Sequence, residues 1–281
     1  MMRKKIAILL ITPYLLIGVI HTTFGQKTFE GMATYRSSRQ IEPIDLERKH
    51  TSPKIQEAIR KQLIAQSQRD YTLTFNLQES VWEEKAKLKP ETPTTGTGNV
   101  KIQLSGGSSV SYLNPIKNQF LEETEIFGKK FLIEDDLPKF HWKITNETKK
   151  IGQYTAVKAE HLQLTQRVAL SVNNSDQTPK MITDTTLMTA WYAPEIPVSQ
   201  GPSGTWGLPG LILELKNGSI TYLCTKVVLN PTTPVTIHVP NKGKRITRKE
   251  AKQIRDEKLL EMMKKYDTGE GGEQHIIRIG G

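Results

Sequence analysis

The sequence predicts a mainly β (α+β) chain, a curved antiparallel sheet or open half-barrel with one early and one late helix. Three observations carry that reading. Tyr71, Leu73, Phe75 and Leu77 alternate with Thr72, Thr74, Asn76 and Gln78, the period of a strand with one apolar and one polar face. Similar short segments recur from there to Leu229, separated by Gly, Asn and Pro turn signals such as Gly128, Asn146, Gly152 and the Asn173 to Pro179 loop, and sequential strands at such spacing make a meander. Finally, Trp206-Gly207-Leu208-Pro209-Gly210 runs straight into the apolar Leu211 to Leu215, which stops at Asn217-Gly218 and resumes at Ile220, a strand pair joined by a tight hairpin.

Taken in order, the chain opens with Arg3, Lys4 and Lys5 ahead of an apolar run from Ile6 to Ile20 and small residues up to Gly25. That is the pattern of a secretory signal peptide over 1–25, which implies an exported protein of the periplasm or cell surface. A first strand follows at Thr28 to Tyr35. Ser52 as N-cap, Pro53 at the first helical position and Ile55, Ile59 and Leu63 on one side predict a helix ending near Arg69. After the Tyr71 strand, the Pro/Thr/Gly-rich Lys89 to Gly98 reads as a loop, and Val100, Ile102 and Leu104 as the next strand. Ser105 to Ser109 turns into another. Further strands are predicted at Gln119 to Ile126, Lys130 to Glu134, Phe140 to Thr145, Tyr154 to Leu162, Leu164 to Val172, Met181 to Tyr192 and Ile220 to Leu229. Thr247-Arg248-Lys249-Glu250 is a capping box with Ile246 and Ala251 as its staple. It opens a helix carrying Ala251, Leu259, Met262, Met263 and Tyr266 on one side, with Ile254 at the margin, and Gln274 to Ile279 reads as a last strand. The expected organisation is one β domain over 26–240, with a basic helix and strand over 241–281 packed on it.

The Leu208-Pro209-Gly210 segment reads as a type II turn: Pro209 pre-sets the first central torsion and Gly210 supplies the positive φ of the second. Gly207, Pro209 and Gly210 are therefore structural turn residues. Trp191, Tyr192, Trp206 and Leu208 flank the Pro/Gly-rich loop from Ala193 to Thr205, long enough to serve as a flap, and form the candidate apolar binding cluster.

The formal charge of +10 falls to +7 once Arg3, Lys4 and Lys5 are removed. Six of those net charges lie between Asn241 and Lys265. The rest of the body is close to neutral, which argues against a nucleic-acid partner. Lys249, Lys252, Arg255 and Lys258 instead make a candidate basic surface for peripheral contact with an anionic membrane.

Catalytic and metal motifs are not assembled in the sequence. His50, His141, His161, His238 and His275 lack ligand spacing, so no metal or other cofactor is expected. Glu122, Glu123 and Glu125, and the pair Asp135-Asp136, read as solvated loop acids. Cys224 is the only cysteine, which excludes an intramolecular disulfide, and its apolar strand marks it as a small hydrophobe.

Gly207 to Ile212 spells GLPGLI, and two further segments accompany it: Trp142 to Tyr154, with Glu147-Thr148-Lys149 and Ile151 in an "ETK-I" pattern, and Ala190 to Val198 with Gly201-Pro202 in a "WY-IP-GP" pattern. In these the chain resembles the GLPGLI family of exported Bacteroidota proteins, from about Phe29 to Val228. The resemblance implies no catalytic residues, since that family has no assigned activity. Members often carry a cysteine after the aromatic that is Tyr154 here; this chain has Thr155 and Ala156. The strand pattern is also similar to the lipoprotein-carrier half-barrel. The expected function is a non-enzymatic cell-envelope protein binding a lipid, peptide or protein on the concave face of its sheet. An envelope hydrolase of peptidase type, built from dispersed residues, and an accessory subunit of an outer-membrane transporter are the alternatives.

Overall fold

The computed structural model describes residues 29–40, 68–85, 109–170 and 179–267. Twelve strands form one open sheet: β1 (Glu30–Arg39), β2 (Arg69–Asn76), β3 (Ser80–Glu84), β4 (Val110–Asn114), β5 (Gln119–Ile126), β6 (Lys129–Asp135), β7 (Lys143–Ile151), β8 (Tyr154–Leu170), β9 (Pro179–Ala193), β10 (Leu211–Asn217), β11 (Ile220–Leu229) and β12 (Lys244–Ile246). Their order is β12-β6-β5-β4-β3-β2-β1-β11-β10-β9-β8-β7. Two meanders, β1 to β6 and β7 to β11, are joined where β11 returns beside β1. Every pairing is antiparallel except that of β12 with β6. A 3-10 turn at Pro202–Gly204 and the helix α1 (Arg248–Asp267) complete the described elements.

The mainly β, open antiparallel architecture is the one the alternation predicts, and several boundaries differ for physical reasons. The two strands expected on either side of Gln163 are one strand of 17 residues, β8, because no Gly, Pro or Asn interrupts that run. β7 starts at Lys143 and continues through Asn146, the expected turn, to Ile151. A shift in register between Ile144 and Thr148 absorbs that residue as a bulge. β3, only five residues with two acids, is too short to show a period. The early helix, the 89–98 loop, the strand around Ile102 and the 274–279 strand lie outside the described residues, as does the signal segment.

Both sides of the β3 to β6 half carry chain. Val81 and Trp82 are neighbours on β3 and so point to opposite faces. Trp82 joins Tyr35, Phe75, Ile196, Val198, Leu211 and Leu213 in the main core, under the segment 194–210. Val81 packs with Tyr112, Leu121 and Leu132, against which Ile237 of the return segment 231–243 lies. The α1 N-terminus is built as its capping box predicts. The Thr247 hydroxyl oxygen accepts the Glu250 N–H at 3.2 Å, and Glu250 Oε2 accepts the Thr247 N–H at 2.7 Å. Ile246 and Ala251 are buried beside Ile126, Phe131 and Ile133, with Ile254 continuing the contact. Ile254, placed at the margin by periodicity, thus takes part in docking.

Candidate functional site

The loop expected to be a flap is a built-in layer of the core. Its backbone is tied at both ends: Ile196 N–H donates to Ala193 O (3.1 Å), Leu211 N–H to Ile196 O (3.1 Å), Gly207 N–H to Ser199 O (2.8 Å) and Ile212 N–H to Gln200 O (3.3 Å). Ring nitrogens add two more ties. Trp206 Nε1 donates to Pro138 O at 2.7 Å, and Trp142 Nε1 to Trp206 O at 2.9 Å. Tyr35, fully buried beneath, donates its hydroxyl to Ile212 O at 2.7 Å, and burial holds that phenol well above its ordinary pKa.

The turn at Pro209 departs from the type II expectation. Gly210 N–H donates to Leu208 O at 2.9 Å, closing a three-residue γ-type turn centred on Pro209. Gly210 does have the expected positive φ, at 159°, a torsion that residues with a side chain rarely adopt, and lack of space is a second constraint. A Cβ at this position would stand 2.3 Å from Ala193 O and 2.9 Å from Pro194 N. Gly207, at φ +95°, likewise has a backbone that favours glycine.

The structure separates the four candidate binding residues. Tyr192 and Leu208 share one buried cluster with Met188, Ala190, Ile212 and Leu215. Trp206 packs on Leu113, Phe120 and Leu137. Trp191, one residue from Tyr192, necessarily points to the other face. There it lies in a cross-strand row formed by Arg36, Leu223, Glu214, Trp191 and Lys158. Lys149 Nζ stands 4.3 Å over the Trp191 ring and 2.7 Å from Glu214 Oε2, a cation held between a π face and a carboxylate. Arg36 is paired with Asp70, and Lys158 with Glu147 and Glu160. The face carrying Trp191 is thus an open lattice of charges and single apolar groups. The opposite face is closed.

Residues that look isolated in sequence meet in space. His161 Nδ1 accepts the backbone N–H of His141 at 3.2 Å, the two rings lie 6.5 Å apart, and His161 stands edge-on to Phe140. The β7–β8 register, which sets Lys143 opposite Glu160, is the signal that would have found this pair. Among the described residues no group of three or more His, Cys, Asp or Glu is placed to hold one metal ion.

Of the acidic residues, Glu122, Glu123 and Glu125 lie on a strand, β5, rather than a loop, while Glu125 and Asp136 are exposed. Glu122 is half-buried near Arg255 and Arg248; desolvation raises its pKa, opposed by those two cations. Glu123 accepts the backbone N–H groups of Asn241 and Lys242 at 2.7 and 2.8 Å, pinning the return segment. Glu125 lines a surface hollow of about 230 Å³ with Glu123, Lys130 and Lys242. Asp135 accepts the Arg248 N–H, the Arg248 side chain donates to Asp136 O, and its guanidinium covers the Phe120 ring at 4.4 Å.

The candidate basic surface is partly neutralised by its own helix. Lys252 pairs with Asp256 and Lys258 with Glu261, while Arg255 lies within electrostatic reach of Glu122. Lys249 is exposed. Cys224, partly buried against the main core, has its thiol pushed up to about 11 by burial, so it stays protonated and unreactive near neutral pH.

Over residues 142–214 the chain matches the sequence profile of a family described as "Protein of unknown function (Porph_ging)". The matched span runs from Trp142 through the loop to Glu214, which takes in the closed face's layer and the Trp142–Trp206 tie. No curated protein matches the chain. Among solved structures it is similar to PNGF-II in a C2 crystal form, with a TM-score of 0.44 and 16% identity over 81% of this chain and 32% of that one. The P21 form of PNGF-II gives a TM-score of 0.45 and 17% identity over 81% and 33%. The chain therefore spans about a third of the length of PNGF-II.

Proposed function

We propose that this is an exported, non-enzymatic cell-envelope protein of the GLPGLI type that binds a protein or peptide partner on the open face of its sheet. One observation carries the choice among partners. The face on which a lipid would be expected to sit is filled by the chain's own segment, with Ile196 at 0% and Leu208 at 1% exposure. A ligand there would have to displace a tied loop. The open face offers Leu223 and Leu187, at 42% and 48% exposure, around half-covered Trp191, and such mixed surfaces with an aromatic and arginine are what protein partners use. The "WY-IP-GP" and GLPGLI segments and the Ile6 to Ile20 run support the family and export parts of the reading.

The test is site-specific photo-crosslinking in intact envelopes. A probe at Leu223 or Leu187 is expected to give one discrete protein adduct, while a probe at Ser203, which is exposed on the closed side, gives none. Native mass spectrometry of the purified protein should show the bare polypeptide mass. Stoichiometric lipid, or adducts from Ser203 alone, would overturn the reading in favour of a carrier.

A further inference from the structure

β8 and β9 pair with each other far beyond their neighbours. β7 reaches only Glu160 on β8, and β10 only Met188 on β9, whereas β8 and β9 remain paired out to Leu170 opposite Pro179. The result is a two-stranded arm about nine residues long, on the order of 30 Å, whose outer backbone groups meet no strand among the described residues. Its β8 strand exposes Leu162 and Leu164, at 66% and 73%.

The sheet's two terminal strands are blunted. β7 carries Lys143, Lys149, Lys150 and a bulge, and β12 is three residues long with Lys244 and Arg245, devices that discourage strand addition. The arm's β8 edge has neither. From Leu162 to Leu170 it contains no proline and one formal charge, Arg167.

That edge is also self-complementary. Its sequence, Leu-Gln-Leu-Thr-Gln-Arg-Val-Ala-Leu, is a near-palindrome of pattern about Gln166. If two copies pair antiparallel about Gln166, Leu162 falls opposite Leu170, Leu164 opposite Val168 and Gln163 opposite Ala169. Arg167 falls opposite Thr165 and never opposite itself. Apolar positions meet apolar ones on one face, and no like charges are juxtaposed. An isologous two-fold contact requires this kind of match.

We infer that the β8 edge of the arm is a self-association site, pairing with the same edge of a second copy about Gln166 to make a four-stranded intermolecular sheet. The contact is independent of the open-face reading above. It is also small: nine paired positions bury less than the roughly 800 Å² per partner of a standard stable interface. The dimer is therefore weak and concentration-dependent.

Register-specific disulfide trapping tests it, with the purified protein in a Cys224→Ala background. Gln166→Cys places the two cysteines opposite one another, about 4.5 to 5.5 Å between Cα atoms, within disulfide reach. Mild oxidation at high protein concentration should give a covalent dimer. Leu162→Cys alone should not cross-link, whereas a mixture of Leu162→Cys and Leu170→Cys chains should. In parallel, sedimentation equilibrium should show the weight-average mass of the unmodified protein rising with concentration, and Leu164→Lys should hold it at the monomer value with an unchanged near-UV CD spectrum. A monomer at every concentration would overturn the inference and leave the edge to a different polypeptide or to the chain's own 41–67 segment. Equal cross-linking at 162 and 166 would overturn the register.

Discussion

The segment 194–210 and the β8–β9 arm belong to the same sheet and differ in almost every physical respect. The first is short of regular structure, yet Ile196, Val198, Gln200, Thr205 and Leu208 are each no more than 3% exposed. The second is the longest stretch of regular pairing among the described residues, yet it leaves Leu162, Leu164 and Leu187 exposed. Regularity and burial are separate quantities. Secondary structure satisfies backbone groups, whereas stability comes mainly from apolar area removed from water.

Truncating the buried layer is the strongest way to break the comparison. Leu208→Ala is expected to cost about 3 kcal/mol, as for other fully buried leucines, read as a lower urea midpoint with an unchanged slope. Gly210→Ala should cost about 2 kcal/mol, because its methyl meets the Ala193 backbone and the turn has little room to yield. If Gly210→Ala matched the wild-type midpoint, close approach would not be the reason for glycine there.

Glu122 sharpens the comparison at the other end of the closed side. Its carboxyl pKa is raised by burial, so the folded chain holds that proton more tightly than the unfolded chain, whose value lies near 4.3. The group's contribution is therefore most favourable below the ordinary glutamate value and falls as pH rises through the raised one. Glu122→Gln should remove that decline, giving a flatter stability profile above about pH 4.3. A steeper decline in the variant would mean that Arg248 and Arg255 dominate over burial.

At the arm, by contrast, Leu162→Thr should shift stability by no more than about 0.5 kcal/mol, as for other exposed positions. A loss comparable to that of Leu208→Ala would show that the arm is packed in the monomer and that the two regions are energetically alike.

Much of the fold was legible because its causes are local. The Tyr71 alternation, the Asn217-Gly218 hairpin and the Thr247 capping box each encode their own geometry, and β5 was delimited at Gln119 and Ile126 by neighbouring turn signals such as Gly128. The candidate site was not legible in the same way. Adjacent aromatics at 191 and 192 look like one cluster in a sequence, but a strand sends them to opposite faces, and which face is closed depends on a loop whose own destination is set by tertiary contacts. Trp206 and Trp142 meet across 64 residues through a hydrogen bond to a backbone oxygen, which leaves no trace in periodicity. Glycine at 210 signalled its positive φ correctly, but not the close approach of the Ala193 backbone, because torsion can be guessed from neighbours and steric room cannot.

The central claim, that 194–210 is a fixed layer of the core rather than a flap, is tested most directly by native-state hydrogen exchange. Amides of Ile196, Gly207, Leu211 and Ile212, each donating within this layer, should exchange only through global unfolding, with protection that tracks the denaturation free energy of the whole protein. Free exchange of these four amides under conditions where β1 and β2 stay protected would contradict it, and would return the closed face to the role of a gated ligand site.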